Sequence, residues 1–511
     1  MSGVATPGRV AAERRHGARS GLVGLAGAAI SGLFGFVLAV VLARGFGTTG
    51  SGAIFTAIGL LTVVSAMCCL GADTGLVWAL PRRRHHGPGG LLTVALLPPL
   101  LAGLAVVAAG LAAVDRLAAA LLPDAGPTGP RLLAVALIAV PLTVAATILL
   151  SAVRASRPIT AYAAVQFVLL PVGRPALVGA VALASGSVVL ALAGWVLPVV
   201  LAVAVCLVLV RRPLGLAALA GLRPAPGDWP AFWSFALPRA VSAAIDSGSM
   251  WVGVLLTAAL ASQADAGVFG GVGRYVLAGQ LALQGLRVAI APQLSRLLGA
   301  GRRAEAAAVH RQTTVWAIAF SWPIYLLLGL FAPAFLILFG GGFVAGADAM
   351  AILAAAMLVN VGLGTVQTVL LMSGRSRSHL MATVAGLVCT VGLGVWWIPV
   401  AGVRGAAAAW AVGIVVENVV AAVAAHAVIG KAVLSRAAVL TAAVVAGSVG
   451  AAGAIAIAVA GRGIPGLLLA VGLLAAGPAV ALTRPRIREL GKEQVAMLRG
   501  VRAGTEQEGD T

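Results

Sequence analysis

The chain has 511 residues, of which 61% are apolar and only 10% are Asp, Glu, Lys or Arg. Soluble domains carry about a quarter charged residues, so these charges are too few to cover a water-soluble body of this size, which excludes a soluble enzyme, a disordered chain and a coiled coil. The formal net charge of +20 therefore reports membrane topology and not nucleic-acid binding, because Lys and Arg collect on the cytoplasmic side of membrane proteins.

Continuous apolar runs, rich in Ala, Leu and Val, recur along the whole chain and predict an all-α polytopic membrane protein. Four Arg residues precede the first run, but that run is too long for the apolar part of a signal peptide, so we expect it to be retained. We predict fourteen spans, at 22–42, 51–80, 91–111, 132–152, 159–183, 188–210, 232–260, 267–294, 313–331, 347–372, 380–398, 405–429, 437–460 and 464–482.

The distribution of positive charge orients these spans. With the N-terminus inside, 26 of the 35 Lys and Arg residues fall in cytoplasmic segments, 5 fall in outer loops and 4 lie within spans. This bias predicts a multi-pass protein of the cytoplasmic membrane with both termini in the cytoplasm. The chain has only two Lys among these residues and abundant Ala and Gly, which indicates a GC-rich bacterial genome, such as that of an actinobacterium.

The two halves of the chain repeat each other at an offset of about 215 residues. The outer loop near Gly52 recurs near Gly267, and the outer loop at Ser185 recurs near Val400. Six spans per half is an even number, so the halves are parallel repeats, an arrangement from which transporters are commonly built. The predicted domains are a basic N-tail (1–21), an N-lobe (22–210), a linker (211–231), a C-lobe (232–429), two appended spans (430–482) and a C-tail (483–511).

Ionisable side chains inside the bilayer are costly and usually face a cavity or a partner, so they are the candidate functional residues. The predicted cationic substrate site consists of Arg174, Arg239, Arg274 and Arg287, with Arg44 at the outer mouth. Four embedded Arg outnumber three embedded acids, and guanidinium groups suit a phosphate, so a cavity that they share would favour an anionic cargo. Asp246 and Glu417 are the candidate ion-coupling residues.

Each of these residues also has a structural interpretation. Arg239 can reach the cytoplasm as an interfacial side chain, Arg174 can cap a turn between two prolines, and Arg287 can lie at interfacial depth. Asp246 can pair with an Arg, and Glu417 can join two helices by hydrogen bonds. The sequence offers no paired carboxylates, no nucleophilic triad, no phosphate-binding glycine loop and no metal-ligand spacing, so we predict neither an enzyme nor a metal site.

An ordered set of short motifs resembles the polysaccharide (O-antigen and exopolysaccharide) flippases of the multidrug/oligosaccharidyl-lipid/polysaccharide exporter superfamily. The resemblance extends over about residues 20–430. The motifs are Leu42-Ala43-Arg44-x-x-Gly47-x-x-x-x-Gly52, Gly71-Ala72-Asp73-x-Gly75-Leu76, Gly267 with Tyr275, Pro292-x-x-Ser295-x-Leu297, Ser373-Gly374-Arg375 and Ile398-Pro399-x-x-Gly402-x-x-Gly405-Ala406-Ala407.

This resemblance implies two parallel six-helix lobes around a central cavity, plus two extra C-terminal helices. It also implies that a polyprenyl-diphosphate-linked oligosaccharide is flipped across the membrane by alternating access. The expected partners are that lipid-linked oligosaccharide, membrane lipids and polysaccharide polymerase or glycosyltransferase machinery, without nucleic acid. No cofactor is expected; the energy would come from an H⁺ or Na⁺ gradient or from the membrane potential. The alternatives are a lipid II flippase, a multidrug or cation antiporter, and a membrane glycosyltransferase or polymerase.

Overall fold

A computed structural model shows an all-helical protein. The structure describes residues 7–82, 88–214, 223–433 and 435–483, and for some of these, including Arg239 and Asp246, it describes the backbone alone. The predicted C-tail after residue 483 and parts of the N-tail and linker lie outside the described residues. The helices are α1 (Pro7–Cys68), α2 (Ala72–Ala79), α3 (Pro88–Ala112), α4 (Val114–Leu121), α5 (Thr128–Ser156), α6 (Ile159–Ala163), α7 (Leu170–Ala184), α8 (Val188–Arg211), α9 (Asp228–Leu260), α10 (Gln263–Gly299), α11 (Arg303–Leu330), α12 (Ala332–Leu336), α13 (Ala347–Gly362), α14 (Val366–Met372), α15 (Ser376–Ile429), α16 (Arg436–Ala460) and α17 (Ile464–Thr483).

Short helices of other types complete the described chain. A π-helix (Ala164–Leu169) joins α6 to α7, and 3₁₀ segments occupy Leu80–Arg82, Pro123–Ala125, Gly341–Gly346 and Gly430–Val433. No β-strand occurs within the described ranges. In the hydrocarbon layer every backbone N–H and C=O group must be bonded within the chain, and a helix satisfies this requirement locally. The prediction of an all-α membrane fold is therefore confirmed.

The two longest helices, α1 and α15, are hairpins and not rods. Each contains one residue with a non-helical backbone, Gly47 in α1 and Gly402 in α15, and both have positive φ. In a straight helix Gly386 and Glu417 would lie about 46 Å apart. A Cβ atom on Gly386 would instead lie 2.8 Å from the Cβ atom of Glu417, so α15 folds back on itself at Gly402.

The helices agree with the fourteen predicted spans. Nine helices in the described residues are long and apolar enough to cross a membrane, and two of them, Ala26–Cys68 and Ser376–Ile429, contain the hairpin turns and so provide two crossings each. The three remaining predicted spans lie on α9, α10 and α17. Each predicted span thus falls on helical structure, although turns at positive φ interrupt the second span (at Leu70 and Gly71) and the tenth span (at Gly364).

The halves of the chain that were predicted to be repeats meet closely at glycines. Helix α1, in the first half, packs against α9 and α10, in the second half. The appended helix α16 packs against α11 and α17. A Cβ atom on Gly52 would lie 1.8 Å from the carbonyl oxygen of Gln263 and 2.8 Å from the backbone N of Gly267. A Cβ atom on Gly267 would lie 2.1 Å from the carbonyl oxygen of Thr48. The two glycines that the sequence pairs at the repeat offset therefore bring α1 and α10 into backbone contact.

Segments predicted to lie outside the membrane come together at one end of the bundle. The backbone N–H of Gln263 donates to Asp124, at 3.3 Å, and the turn at Gly402 lies against Asp265. The turns that follow α10 and α14, both predicted to be cytoplasmic, meet elsewhere around a shared pocket. This grouping agrees with the predicted alternation of outer and cytoplasmic loops along the chain. The assignment of one end of the bundle to the cytoplasm stays a prediction.

Candidate functional site

A cavity of about 460 Å³ lies inside the bundle. Both arms of the α1 hairpin line it, together with α5, the π-helix, α7, α8, α9 and α10. Its volume lies within the range of about 300–1,000 Å³ that is usual for ligand sites. Its walls are mostly apolar, and its polar lining residues are Ser31, Thr62, Thr143, Thr147, Gln166, Arg174 and Arg274.

The first of the two arginines, Arg174, lies on α7, just after the π-helix. π-Helical turns are uncommon and occur often at functional sites, because the wide turn changes the direction of the following side chains. The guanidinium carbon of Arg174 lies 3.9 Å from the ring centre of Trp195, close enough for a cation–π contact. Its Nε atom is buried and has no hydrogen-bond partner in the described chain.

The second arginine, Arg274, comes from α10, in the other half of the chain. Its guanidinium carbon lies 5.3 Å from the ring centre of Trp251 and 5.8 Å from that of Phe55. Its Nε atom is also buried without a hydrogen-bond partner in the described chain. Both halves of the molecule therefore contribute one aromatic-supported guanidinium to a single cavity.

The cavity has a positive electrostatic character. None of its described lining residues is an acid. Three threonines donate their hydroxyl hydrogens to carbonyl groups of their own helices, which leaves oxygen lone pairs available as acceptors: Thr62 to Ile58 at 2.7 Å, Thr143 to Ala139 at 2.9 Å and Thr147 to Thr143 at 2.8 Å. A buried charge is costly unless it is paired, so two guanidiniums with unused N–H groups favour an anionic ligand.

Arg287 and Glu417 lie in a second polar cluster, away from the lining of this cavity. Glu417 accepts a hydrogen bond from Gln367 at 3.0 Å and one from Thr383 at 3.3 Å. Arg287 lies within electrostatic reach of Glu417 and Tyr325, and its Nε and Nη2 atoms are buried without a hydrogen-bond partner in the described chain. The cluster joins α10, α14 and both arms of α15.

The remaining predicted site residues have other positions. Arg44 does not line the cavity; it donates from Nε to the carbonyl of Leu338 at 2.8 Å and from Nη2 to the carbonyl of Ile337 at 3.0 Å. It thereby ties α1 to the turn after α12. The side chains of Arg239 and Asp246 lie outside the described residues. The roles predicted for all seven residues stay predictions.

Sequence reasoning missed the two tryptophans of the cavity. Trp195 and Trp251 are not among the residues predicted for the substrate site. A signal was available, because both lie well inside predicted spans and not at their ends. A Trp at that depth needs a partner for its ring face or its N–H group, and a nearby arginine supplies one.

The sequence matches no protein-family model and no curated protein. Its structure, in contrast, is similar to several solved transporters. An inward-facing multidrug resistance MATE family transporter of the MOP superfamily superposes with a TM-score of 0.66 at 18% identity, covering 79% of this chain and 95% of that one. The lipid II flippase MurJ, in an inward closed conformation, gives a TM-score of 0.63 at 11% identity over 90% of this chain and 99% of that one.

A third solved structure is a MOP superfamily transporter from Pyrococcus furiosus, whose binding pocket is described as having reverse polarity. It gives a TM-score of 0.56 at 16% identity over 82% of this chain and 96% of that one. The three proteins are transporters or flippases, and each is matched over nearly its whole length. The chain therefore has the all-helical fold of transporters of the MOP superfamily.

Proposed function

We propose that this protein moves a lipid-linked oligosaccharide, carried on a polyprenyl diphosphate, across the cytoplasmic membrane for cell-surface polysaccharide synthesis. The observation that carries the proposal is the convergence of Arg174 and Arg274 in one cavity whose described lining contains no acid. A diphosphate concentrates negative charge on several acceptor oxygens. One guanidinium group can bind two such oxygens at once through two parallel hydrogen bonds.

The other cavity residues suit the sugar that is attached to the diphosphate. The lone pairs of the threonine hydroxyls accept hydrogen bonds from sugar hydroxyls, and the ring faces of Trp195 and Trp251 offer apolar surfaces beside the arginines. A volume of about 460 Å³ holds the diphosphate and the first sugar, not a whole oligosaccharide and its lipid. The lipid tail would remain in the bilayer during flipping.

Alternating access is the proposed mechanism, because the two arginines come from different halves of the chain. An anion bound between α7 and α10 would bridge the halves and would be released when they separate. Since the fold matches both a lipid II flippase and MATE transporters, lipid II is a second anionic cargo with the same diphosphate chemistry. A cation antiporter is disfavoured, because cations would meet two guanidiniums in this cavity.

The energy source is proposed to be an ion gradient or the membrane potential. The potential acts on a charged group with about 2.3 kcal/mol per elementary charge per 100 mV, which assists an anion that moves toward a positive exterior. Asp246 and Glu417 are the proposed ion-coupling residues. Transport in proteoliposomes under separate H⁺, Na⁺ and voltage gradients tests this, and unchanged gradient dependence in both Asp246→Asn and Glu417→Gln would remove these residues from the coupling.

The cargo proposal is tested with purified protein in liposomes and a fluorescent polyprenyl-diphosphate sugar. We expect Arg174→Gln and Arg274→Gln to reduce flipping about 10- to 100-fold, because a charge-assisted hydrogen bond contributes about 1.5–3 kcal/mol. Arg174→Lys and Arg274→Lys should rescue only part of the rate, since an ammonium lacks the two-pronged geometry.

The matched control is Arg116→Gln, which removes the same charge from an exposed position outside the cavity. We expect this variant to flip the cargo at the wild-type rate. Wild-type rates in both cavity variants would refute the anionic site. Transport of an organic cation by the wild type, with no flipping of the diphosphate lipid, would favour the antiporter, and selective flipping of lipid II would replace the proposed cargo.

A further inference from the structure

A second pocket, of about 160 Å³, lies where three helix ends meet at the end of the bundle that is predicted to be cytoplasmic. The turn from α10 to α11 contributes Leu298, Gly299 and Arg303. The turn from α14 to α15 contributes Met372, Ser373 and Arg375, and the last turn of α15 contributes Val428. The pocket is separate from the cavity of Arg174 and Arg274, with which it shares no lining residue.

The charged residues of this pocket are two arginines, and no described lining residue is an acid. The neighbouring Arg302 forms a two-pronged ion pair with Glu305, at 2.5 Å and 2.6 Å. Within the described chain Arg303 and Arg375 form neither an ion pair nor a side-chain hydrogen bond, in contrast to Arg302. The acid of this turn is therefore already engaged, whereas Arg303 and Arg375, which are exposed and line the pocket, are available to a ligand.

The start of α15 adds to this positive field. The helix begins at Ser376, directly after Arg375, without a side-chain cap and without an acid in its first turn. Its first backbone N–H groups have no partner within the helix, and the helix dipole places a partial positive charge there. This partial positive charge adds to the positive charge of the two arginines.

The remaining walls show what kind of anion fits. Leu298, Met372 and Val428 are apolar, and the hydroxyl of Ser373 donates to the carbonyl of Leu370 at 3.0 Å, which leaves the arginines as the donors of the pocket. The pocket volume of about 160 Å³ is enough for a phosphate group. A pocket with a cationic rim and an apolar wall, at the end of the bundle that is predicted to be cytoplasmic, matches an amphiphile.

We propose that this pocket binds the phosphate of an anionic membrane lipid, with Arg303 and Arg375 as its ligands. The glycerol and the first methylenes of the acyl chains would lie on the wall of Leu298, Met372 and Val428. Because the two arginines belong to different turns, the bound phosphate would hold the α10–α11 turn against the α14–α15 turn. The site is independent of the proposed cargo, which binds in the other cavity.

Purified full-length protein in a zwitterionic detergent tests the proposal. A short-chain phosphatidylglycerol, a short-chain phosphatidylcholine and inorganic phosphate are titrated separately while the thermal unfolding temperature is recorded, and native mass spectrometry counts the retained lipids. We expect phosphatidylglycerol to raise the unfolding temperature in a saturable way and phosphatidylcholine to have no effect. The doubly substituted Arg303→Gln/Arg375→Gln protein should need at least 10-fold more phosphatidylglycerol for the same shift.

The matched control is Arg377→Gln, which removes an exposed arginine two residues from Arg375 that does not line the pocket. This variant should respond like the wild type. An equal loss in Arg377→Gln and in the double variant would show a diffuse charge effect and overturn the site, as would a wild-type protein that does not respond to phosphatidylglycerol. Protection by inorganic phosphate at the same concentration as by the lipid would overturn the lipid assignment and identify a free-phosphate site.

Discussion

Gly52→Ala is the sharpest test of how the two halves of the molecule meet. The added Cβ atom would lie 1.8 Å from the carbonyl oxygen of Gln263, and ordinary contacts of this kind begin near 3.4 Å. Helix α1 must therefore move away from α10 by about 1.5 Å. The obstacle is backbone, which cannot rotate away as a side chain can, so the cost lies at the upper end of the 1–3 kcal/mol that is typical of overpacking.

The reciprocal variant, Gly267→Ala, should behave in the same way, because its Cβ atom would lie 2.1 Å from the carbonyl oxygen of Thr48. Gly392→Ala is the matched control: it lies in α15, and its Cβ atom would meet nothing within 4 Å. Removing a glycine from an open helical position should be neutral or stabilising by up to about 1 kcal/mol.

The assay is thermal unfolding of the three purified single variants and of the Gly52→Ala/Gly267→Ala double variant in detergent, beside the wild type. Both interface variants should unfold at lower temperature than the wild type, and Gly392→Ala should not. The Gly52→Ala/Gly267→Ala double variant should lose less than the sum of the single losses, because one separation of the helices relieves both clashes. Equal unfolding temperatures for Gly52→Ala and Gly392→Ala would refute the backbone contact between α1 and α10.

Three further substitutions test individual contacts by the same measurement. Arg44→Ala removes the bonds to the turn at Leu338 and should cost about 1 kcal/mol; full stability with loss of transport would instead favour the cargo-binding role predicted from sequence. Tyr325→Phe keeps the ring but removes the hydroxyl that donates to the carbonyl of Val276 at 2.9 Å, so we expect a loss of about 0.5–1.5 kcal/mol, and wild-type stability would contradict that bond. Arg404→Gln breaks an exposed ion pair of 2.7 Å and should change stability by at most about 1 kcal/mol; a larger loss would show that the pair is structural.

The fold could be predicted from the sequence because the bilayer imposes a length and an apolar composition on every crossing. Runs of Ala, Leu and Val therefore indicate the spans, and Arg residues in the short loops indicate the orientation of each span across the membrane. The repeat offset paired Gly52 with Gly267 before their contact was known. Both hairpin turns fall in gaps between predicted spans, Gly47 between residues 42 and 51 and Gly402 between residues 398 and 405.

The site could be predicted only in part. The sequence showed that Arg174 and Arg274 are embedded, because a charge within an apolar run is conspicuous, and the structure brings both to one cavity. It did not separate them from Arg44, because the partners of that side chain are backbone carbonyls 293 and 294 residues away. Carbonyl groups are present at every residue, so sequence pattern carries no signal for such a contact. The same reason hid Trp195, whose role depends on which residue lies opposite its ring.

The hairpins at Gly47 and Gly402 have a consequence for biogenesis. Two crossings that are joined by a single non-helical residue have almost no chain between them. We therefore expect each pair to insert into the bilayer together and to be oriented by the positive charges that flank it. Neither turn has spare chain for an epitope tag or a protease to use. Lengthening either turn by a flexible insert would uncouple the two crossings and leave the second to be oriented by its own flanking charges.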